Sequence, residues 1–594
     1  MRDALRATRD LLAREWPLLL ITLAALVLRA WNLDFSPSAP RARPDEELFA
    51  VAALKMFSGD GDPHWAHLGF PELFFRIVHW AQVVYAWWLG LGSSEPVNLG
   101  CLYALDPIRI TRLGRIVSCI AGAATVPVTA MLARRLVPAR WSPSSRRAAG
   151  TLAAMFLAFC YLHARDSHFG VSDATLVLFM TAGLWLLVVA LDSGRMIAWI
   201  GAGALFGLAM STKWAGLGAL PACGFAIAWR VVAVRGERLR TLRGGLAGVA
   251  AGAGGFLAGS PHFVNEPEAF WTGILSHQTR YADMGSWGYD PSAPVVHGLD
   301  HHLLVTLPLA LGWPVLVLSL AGLLLALVSR RGPLTTVAIY VLVFHVAVLG
   351  PTTLVILRYA MPLLPPLAAL AAIVVAWLAD RLVGARSRLA FVAPAIALLL
   401  VVPPLHELAG FLRVSGAPDT RDQASAWLVA HTRPNERVVA RGGFAAIHAI
   451  GADMVTACNE ALPASMRRRV PVTLGSDDDF ARLVHRGEKT WGRAADRVIR
   501  VVSAQSGPPE LAEWLVLARP LLACGGPGRS EGWVEPSTTC FVERATMSPG
   551  QPSCDAYYDW LDSFYVPAAG FDGITRIGPE VRIYENVCRT HRAR

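Results

Sequence analysis

Apolar runs about as long as the hydrocarbon core of a bilayer recur through the first two-thirds of the chain and then stop. A helix that crosses a membrane needs ~20 mostly apolar residues. Runs of that kind occupy residues 16–33, 110–133, 147–163, 173–191, 196–212, 214–230, 244–262, 303–328, 333–350, 359–379 and 389–405. The pattern predicts about eleven membrane spans. From His406 onward, short apolar stretches alternate with charged and Gly/Pro-rich ones, as in a water-soluble domain. The expected organisation is a transmembrane module over 1–405, with a long outer loop at 34–109, followed by a soluble domain over 406–594.

The tail reads as mixed α/β. In "DTRDQASAWLVAHTRPNERVVAR", Asp419 and Thr420 are candidate caps, and Ala424, Trp427 and Leu428 share one helical face. The helix pattern breaks at Pro434, before a strand-like "RVVA". A second strand is expected at "RVIRVVSA". Such a domain could bind an acceptor or cover a site in the membrane module.

Of 594 residues, 54% are hydrophobic and 16% charged, against roughly 25% charged in soluble domains. The chain is expected to be an α-helical polytopic membrane protein. Its net charge of +10 would point to nucleic acid in a soluble protein, so the position of the basic residues matters. They gather in short segments: Arg2, Arg6, Arg9 and Arg14; Arg134, Arg135, Arg140, Arg146 and Arg147; Arg230, Arg235, Arg238, Arg240 and Arg243; Arg330 and Arg331; Arg381, Arg386 and Arg388. By the positive-inside rule all of these are cytoplasmic. The charge therefore records topology, and no nucleic-acid partner is implied. An odd number of spans then places the N-terminus inside and the tail outside, periplasmic in a bacterial inner membrane. The first apolar segment lacks a small-residue cleavage site and reads as a retained helix. Five of the nine cysteines, Cys458, Cys524, Cys540, Cys554 and Cys588, fall in the exported tail, where disulfides can form. Cys524 and Cys540 flank a Gly/Pro-rich loop and are a candidate pair.

With topology assigned, several polar groups share the outer face. The first loop opens with "RARPDEELFA", which sets Asp45 and Glu46 beside a span. It continues with "PELFFRIVHWAQVVYAWWLGLG", suited to a helix at the lipid interface. The second outer turn, "RDSHFGVSD", gathers Arg165, Asp166, His168 and Asp173. The third, "STKWAGL", holds Lys213, and "LVILRYAMPLLPP" puts Arg358 where a span begins. Bland readings exist for each: Asp45, Glu46 and Asp173 as helix caps, and Lys213 as a residue snorkelling to the interface. His301 and His302 are adjacent in the fourth outer segment, but no third ligand is fixed by spacing, and no divalent metal is indicated by a motif. Together the outer groups form a chemical set. Cations at headgroup depth can hold a phosphate, Arg by a planar fork and Lys as a point charge. A nearby carboxylate can act as general base toward a hydroxyl.

These residues resemble the C-type (GT-C) glycosyltransferases that use polyprenyl-phosphate sugars, in particular the protein O-mannosyltransferase and lipid A aminoarabinose transferase branch. "PDE", "RDSHFGVSDATLVLF", "STKWAGL" and "RYAMPLLPPLAAL" occur in the family's order and on its expected side. The tail phrase "FDGITRIGPEVRIYEN" looks like the end of bacterial members with a periplasmic appendage. The resemblance implies a GT-C-like fold, a polyprenyl-phosphate-linked sugar donor, a hydroxyl acceptor and inversion in one displacement. It implies Asp45 as the catalytic base, Glu46 as a neighbour that shapes the site or touches the acceptor, and Asp173 as a second acid. Lys213 and Arg358 would neutralise the donor phosphate, with Arg165 and His168 as helpers. The chain departs from eukaryotic protein mannosyltransferases in having no large lumenal insert of repeated small domains; its soluble mass is C-terminal. Two other classes remain open: a transporter or lipid flippase, whose ionisable groups would sit near the midplane, and a membrane anchor presenting the tail.

Overall fold

The computed structural model describes residues 2–37, 43–58, 70–90, 97–138, 140–283, 296–352, 355–383, 392–433, 436–441, 447, 452–469, 512–519, 539–551 and 566–590. The chain is mostly helical, with a small sheet near its C-terminus. The helices that frame the site are α1 (Arg2–Ala30), α2 (Pro44–Lys55), α3 (Leu73–Gly90), α4 (Leu99–Leu105), α5 (Ile108–Leu136), α6 (Pro143–Ala158), α7 (Tyr161–Asp166), α8 (Asp173–Ser193), α9 (Met196–Thr212), α10 (Leu220–Ala233) and α11 (Arg238–Gly259).

Among the described residues, five helices are long and apolar enough to cross a membrane: Ile108–Leu136, Asp173–Ser193, Trp214–Ala233, Gly332–Leu349 and Leu357–Ala379. A sixth candidate is broken: Gly298–Leu311 and Trp313–Val328 meet at an angle of 117°. The straight span expected over 303–328 is corrected here. Gly312 takes φ 76°, open to glycine because it has no Cβ, and Pro314 follows without an N–H to continue the helical ladder. The run expected over 147–163 likewise ends at Ala158, before the short α7.

The main apolar core lies among α5, α6, α8, α9 and the helix beginning at Leu364. Between α9 and α11 the backbones nearly touch. A Cβ on Gly203 or Gly207 would run into the carbonyl oxygen of Gly248 or Gly252, so the G-x-x-x-G spacing on both helices sets their separation. α3 buries Phe74, Phe75, Val78 and Gln82 and exposes Trp80, Val84, Trp87 and Trp88.

The tail sheet contains β1 (Val438–Arg441), β2 (Trp514–Arg519), β3 (Phe541–Met547) and β4 (Glu580–Asn586) in the order β1-β2-β4-β3. β1 and β2 are parallel, and the other pairs are antiparallel. The expected helix is present as Thr420–His431, with Asp419 accepting from the Arg421 N–H and with Ala424 and Leu428 buried. The segment "RVIRVVSA" lies outside the described residues. Tail and membrane module are joined at several points. The Tyr161 hydroxyl donates to the Ala568 carbonyl at 2.6 Å, and the Ser36 hydroxyl donates to Asp419 Oδ2 at 2.6 Å. The disulfides correct the expected pairing: Cys540 is bonded to Cys588, and Cys458 to Cys101 in the first outer loop. Spacing along the chain was a poor guide because β4 carries the C-terminal residues back beside β3. Cys524 lies outside the described residues.

Candidate active site

α2 begins at Pro44, a residue preorganised for a first helical position, with Arg43 extended at the N-cap and no side-chain capping bond. Its next residues are three acids, Asp45, Glu46 and Glu47. Each residue of a helix turns ~100° from the last, so the three carboxylates fan out to different neighbours. Asp45 reaches Arg358, Glu46 reaches Arg115, and Glu47 accepts from the Tyr103 hydroxyl at 3.3 Å. The capping role considered for Asp45 and Glu46 is not the one they take.

Arg358 is the second residue of the 3₁₀ turn Leu357–Leu363, ahead of the helix that starts at Leu364. Its Nη2 donates to Asp45 Oδ2 at 2.6 Å, and its Nη1 to Asp173 Oδ2 at 3.3 Å. Asp173 occupies the first turn of α8; Ser172 holds the N-cap position expected for Asp173. Its other oxygen accepts from Lys213 Nζ at 2.7 Å. Lys213 ends α9 in an extended conformation, and its ammonium sits 4.6 Å from the centre of the Tyr359 ring. It does not snorkel freely; a carboxylate and a ring hold it. The result is a chain of alternating charge, Asp45–Arg358–Asp173–Lys213, drawn from four separate parts of the sequence. Its middle members are enclosed, with side-chain exposures of 8% for Arg358 and 3% for Asp173, while Asp45 and Lys213 at its ends are 33% and 21% exposed. Burial alone would push the Asp45 carboxyl up, but Arg358 beside it, and Lys213 further off, hold it below the usual carboxylate range.

Of the two roles expected for Glu46, shaping the site or touching the acceptor, its surroundings match the first. It is 1% exposed and its bonding is directed inward. Arg115 grips both oxygens at 2.8 and 3.0 Å, and the Gly170 N–H donates to Oε1 at 2.7 Å. Glu46 therefore ties α2 to α5 and to the second outer turn. Arg165 and His168 are likewise buried. Arg165 is fully buried, 3.4 Å from Asp166. His168 donates toward the Ala164 carbonyl, packs its ring edge on Phe411, and is pushed down to about 4 chiefly by burial, which leaves a neutral imidazole. A neutral ring adds no cation for a phosphate.

Residues 111–258 match the family model for dolichyl-phosphate-mannose-protein mannosyltransferase. The match contains Arg165, His168, Asp173 and Lys213. The chain resembles the GT-C glycosyltransferases. No curated protein matches it in sequence. Among solved structures it is similar to the apo oligosaccharyltransferase of Archaeoglobus fulgidus, at 16% identity and TM-score 0.46, over 71% of this chain and 59% of that one. It is also similar to AglB of the same organism in complex with an inhibitory peptide and a dolichol-phosphate, at 13% identity and TM-score 0.47, over 85% and 69% of the two chains. ArnT from Cupriavidus metallidurans bound to undecaprenyl phosphate aligns at 16% identity and TM-score 0.48, over 84% and 92%. The chain thus spans less than two-thirds of the apo oligosaccharyltransferase.

Several buried or half-buried ion pairs outside the alternating chain escaped the sequence reading. Arg43 pairs with Asp166 at 2.5 Å, and Arg115 holds Glu46. Glu72 accepts from Arg76 at 2.8 Å and lies 3.0 Å from His262 Nδ1. Burial would push Glu72 up, but His262 and Arg76 hold it below the usual range. Arg115 had a usable signal, a cation inside an apolar run, which a membrane segment tolerates only when it is paired or functional. Among the described residues, no group of three or more His, Cys, Asp or Glu is placed to hold a metal ion.

Proposed function

We propose that this chain is a membrane glycosyltransferase that moves a sugar, mannose on the family match, from a polyprenyl-phosphate carrier to a hydroxyl of a protein, lipid or glycan acceptor. The observation that carries this reading is the alternating chain Asp45–Arg358–Asp173–Lys213, open at Asp45 and at Lys213. Around it Arg43, Arg165, Lys213 and Arg358 face Asp45, Asp166 and Asp173, one cation in excess of the carboxylates. A phosphodiester carries one negative charge and matches that excess.

Asp45 takes the proton of the acceptor hydroxyl. The acceptor oxygen attacks the anomeric carbon from the face opposite the carrier, the bond from that carbon to the phosphate oxygen breaks, and the configuration inverts. Lys213 and Arg358 take up the charge that grows on the departing lipid phosphate. Asp173 holds both cations in register, and Arg165, His168 and Glu46 support the walls. Before donor binding, Arg358 makes Asp45 a weak base. A phosphate that draws Arg358 toward itself also brings negative charge near Asp45, and both changes raise its basicity when the acceptor arrives.

The reading includes about eleven spans, a cytoplasmic N-terminus, and a periplasmic domain over 406–594 at the outer face of a bacterial inner membrane. A transporter would place its charged groups on the broken helix. Here the break at Gly312 carries none of the four, which sit on α2, α8, the end of α9 and the turn before Leu364. The deciding experiment is transfer of labelled mannose from polyprenyl-phosphate mannose in native membranes containing the wild-type chain or Asp45→Asn. Equal transfer by both would remove the catalytic assignment.

A further inference from the structure

The residue before Pro44 is as enclosed as any in the molecule. Arg43 is 0% exposed, as is Asp166 on α7, and Arg43 Nη2 lies 2.5 Å from Asp166 Oδ1. Its guanidinium also lies over the Phe169 ring, 3.9 Å from the centroid, and Arg165 approaches the same ring at 5.3 Å. One turn of helix away, Glu46 accepts the Gly170 N–H. The second outer turn, 165–173, is thus pinned to the start of α2 at Asp166 and at Gly170. It ends at Asp173, whose position against Asp45 is bridged by Arg358.

We infer that Arg43 and Asp166 are positioning residues for the transfer reaction: their buried pair fixes the start of α2 on the second outer turn and so sets the spacing of Asp45 from Asp173. The inference rests on the glycosyltransferase reading above. Neither residue belongs to the alternating chain, and both are shut off from solvent; as a neutral pair they add no net charge to the site, so their effect reaches the reacting atoms through placement of the backbone. A misplacement of about 1 Å costs on the order of a hundredfold in rate when a reaction depends on a near-attack geometry.

Removing one partner of a buried pair leaves an uncompensated charge and risks unfolding, whereas replacing both with apolar residues of similar volume is often neutral for stability. The informative protein is therefore the full chain carrying Arg43→Met with Asp166→Leu, compared with Arg43→Lys, which keeps the charge and a single contact. Three quantities are read: thermal midpoint, affinity for sugar-free polyprenyl phosphate, and the rate of mannose transfer from polyprenyl-phosphate mannose in native membranes. The double variant is expected to melt and bind the lipid phosphate as the wild type does while transferring at least tenfold more slowly, with Arg43→Lys recovering part of that rate. Wild-type transfer rates in the double variant would overturn the inference, since the pair would then be packing only. So would a parallel loss of lipid binding and rate, which would mark a general collapse of the site. A wild-type chain that binds the lipid and transfers no mannose would instead overturn the transferase reading, and this inference with it.

Discussion

Arg358 Nη2 lies 2.6 Å from Asp45 Oδ2, so the cation assigned to the donor phosphate is, in the free protein, bonded to the group assigned as the base. The pH dependence follows from this pairing. A carboxyl depressed by a cation stays ionised below the usual carboxylate range and loses both its charge and the stabilisation from its ion pair only as the pH falls through the depressed value. The acid limb of kcat/KM, which reports the free enzyme, is expected below the ordinary Asp pKa of about 4. The acid limb of kcat, which reports the donor complex, is expected at higher pH because bound phosphate competes for Arg358. Coincident limbs in pH–rate profiles taken over the same range would count against phosphate reaching Arg358.

Asp45→Asn removes the base while keeping size and polarity. General-base loss typically slows a reaction by ~10² to 10⁴. Affinity for sugar-free polyprenyl phosphate is expected to hold or rise, since an amide competes less for Arg358 than a carboxylate does. Calorimetry on the purified variant would check this. A variant with normal turnover would show that Asp45 serves only to park Arg358.

Lys213→Ala and Arg358→Ala are expected to weaken donor binding, each by the ~1.5 to 3 kcal/mol of a hydrogen bond to a charged group, about ten- to a hundredfold in affinity. Arg358→Ala is expected to be the more damaging to yield, because it takes a cation from both Asp45 and Asp173, whereas Lys213→Ala takes one from Asp173 alone. Unchanged donor affinity in both, measured by competition with labelled lipid, would move the phosphate site elsewhere.

Much of this site was legible because ionisable residues at the ends of apolar runs are conspicuous. Asp45, Asp173, Lys213 and Arg358 were all found that way, and the structure brings them into one chain. Orientation on the helix was not legible. Nothing in "PDEE" tells which carboxylate faces Arg358 and which faces Arg115 on α5, because that depends on how α2 is rotated against its neighbours. Glu46 was therefore read as shaping the site or touching the acceptor, and which of the two depends on the enclosure by Arg115 and Gly170 that the sequence does not display. The break at Gly312 was missed for a related reason: hydropathy averages over a window and does not register one residue with positive φ.

Glu46→Gln separates the two carboxylates. It leaves Arg115, 0% exposed, facing a neutral amide, and breaking a buried pair costs on the order of 3 to 5 kcal/mol. The expected outcome is a lower thermal midpoint and reduced membrane yield, with the folded fraction keeping its donor affinity. A stable Glu46→Gln protein with a selective loss of transfer would return Glu46 to the acceptor side of the site.

The last prediction concerns topology, and the Cys101–Cys458 bond makes it testable without a reporter in the core. Cys101 belongs to α4, beside the acid-bearing loop, and Cys458 to the helix Ala452–Ala461 of the tail. A disulfide between them requires both to lie on the same side of the membrane, in an oxidising compartment. If that side is the periplasm, the bond is expected to form in cells with an intact disulfide-forming pathway and to fail in cells lacking it, visible as a mobility shift after thiol labelling under denaturing conditions. A reporter fused after Arg594 is then expected to read as exported. Reduced Cys101 and Cys458 together with a cytoplasmic reporter would put the tail, and with it Asp45, on the inner face. In that case the basic clusters assigned to the cytoplasm would lie outside, against the bias that orients most membrane proteins. The odd span count would stand with the orientation inverted, and donor and acceptor would be sought in the cytoplasm.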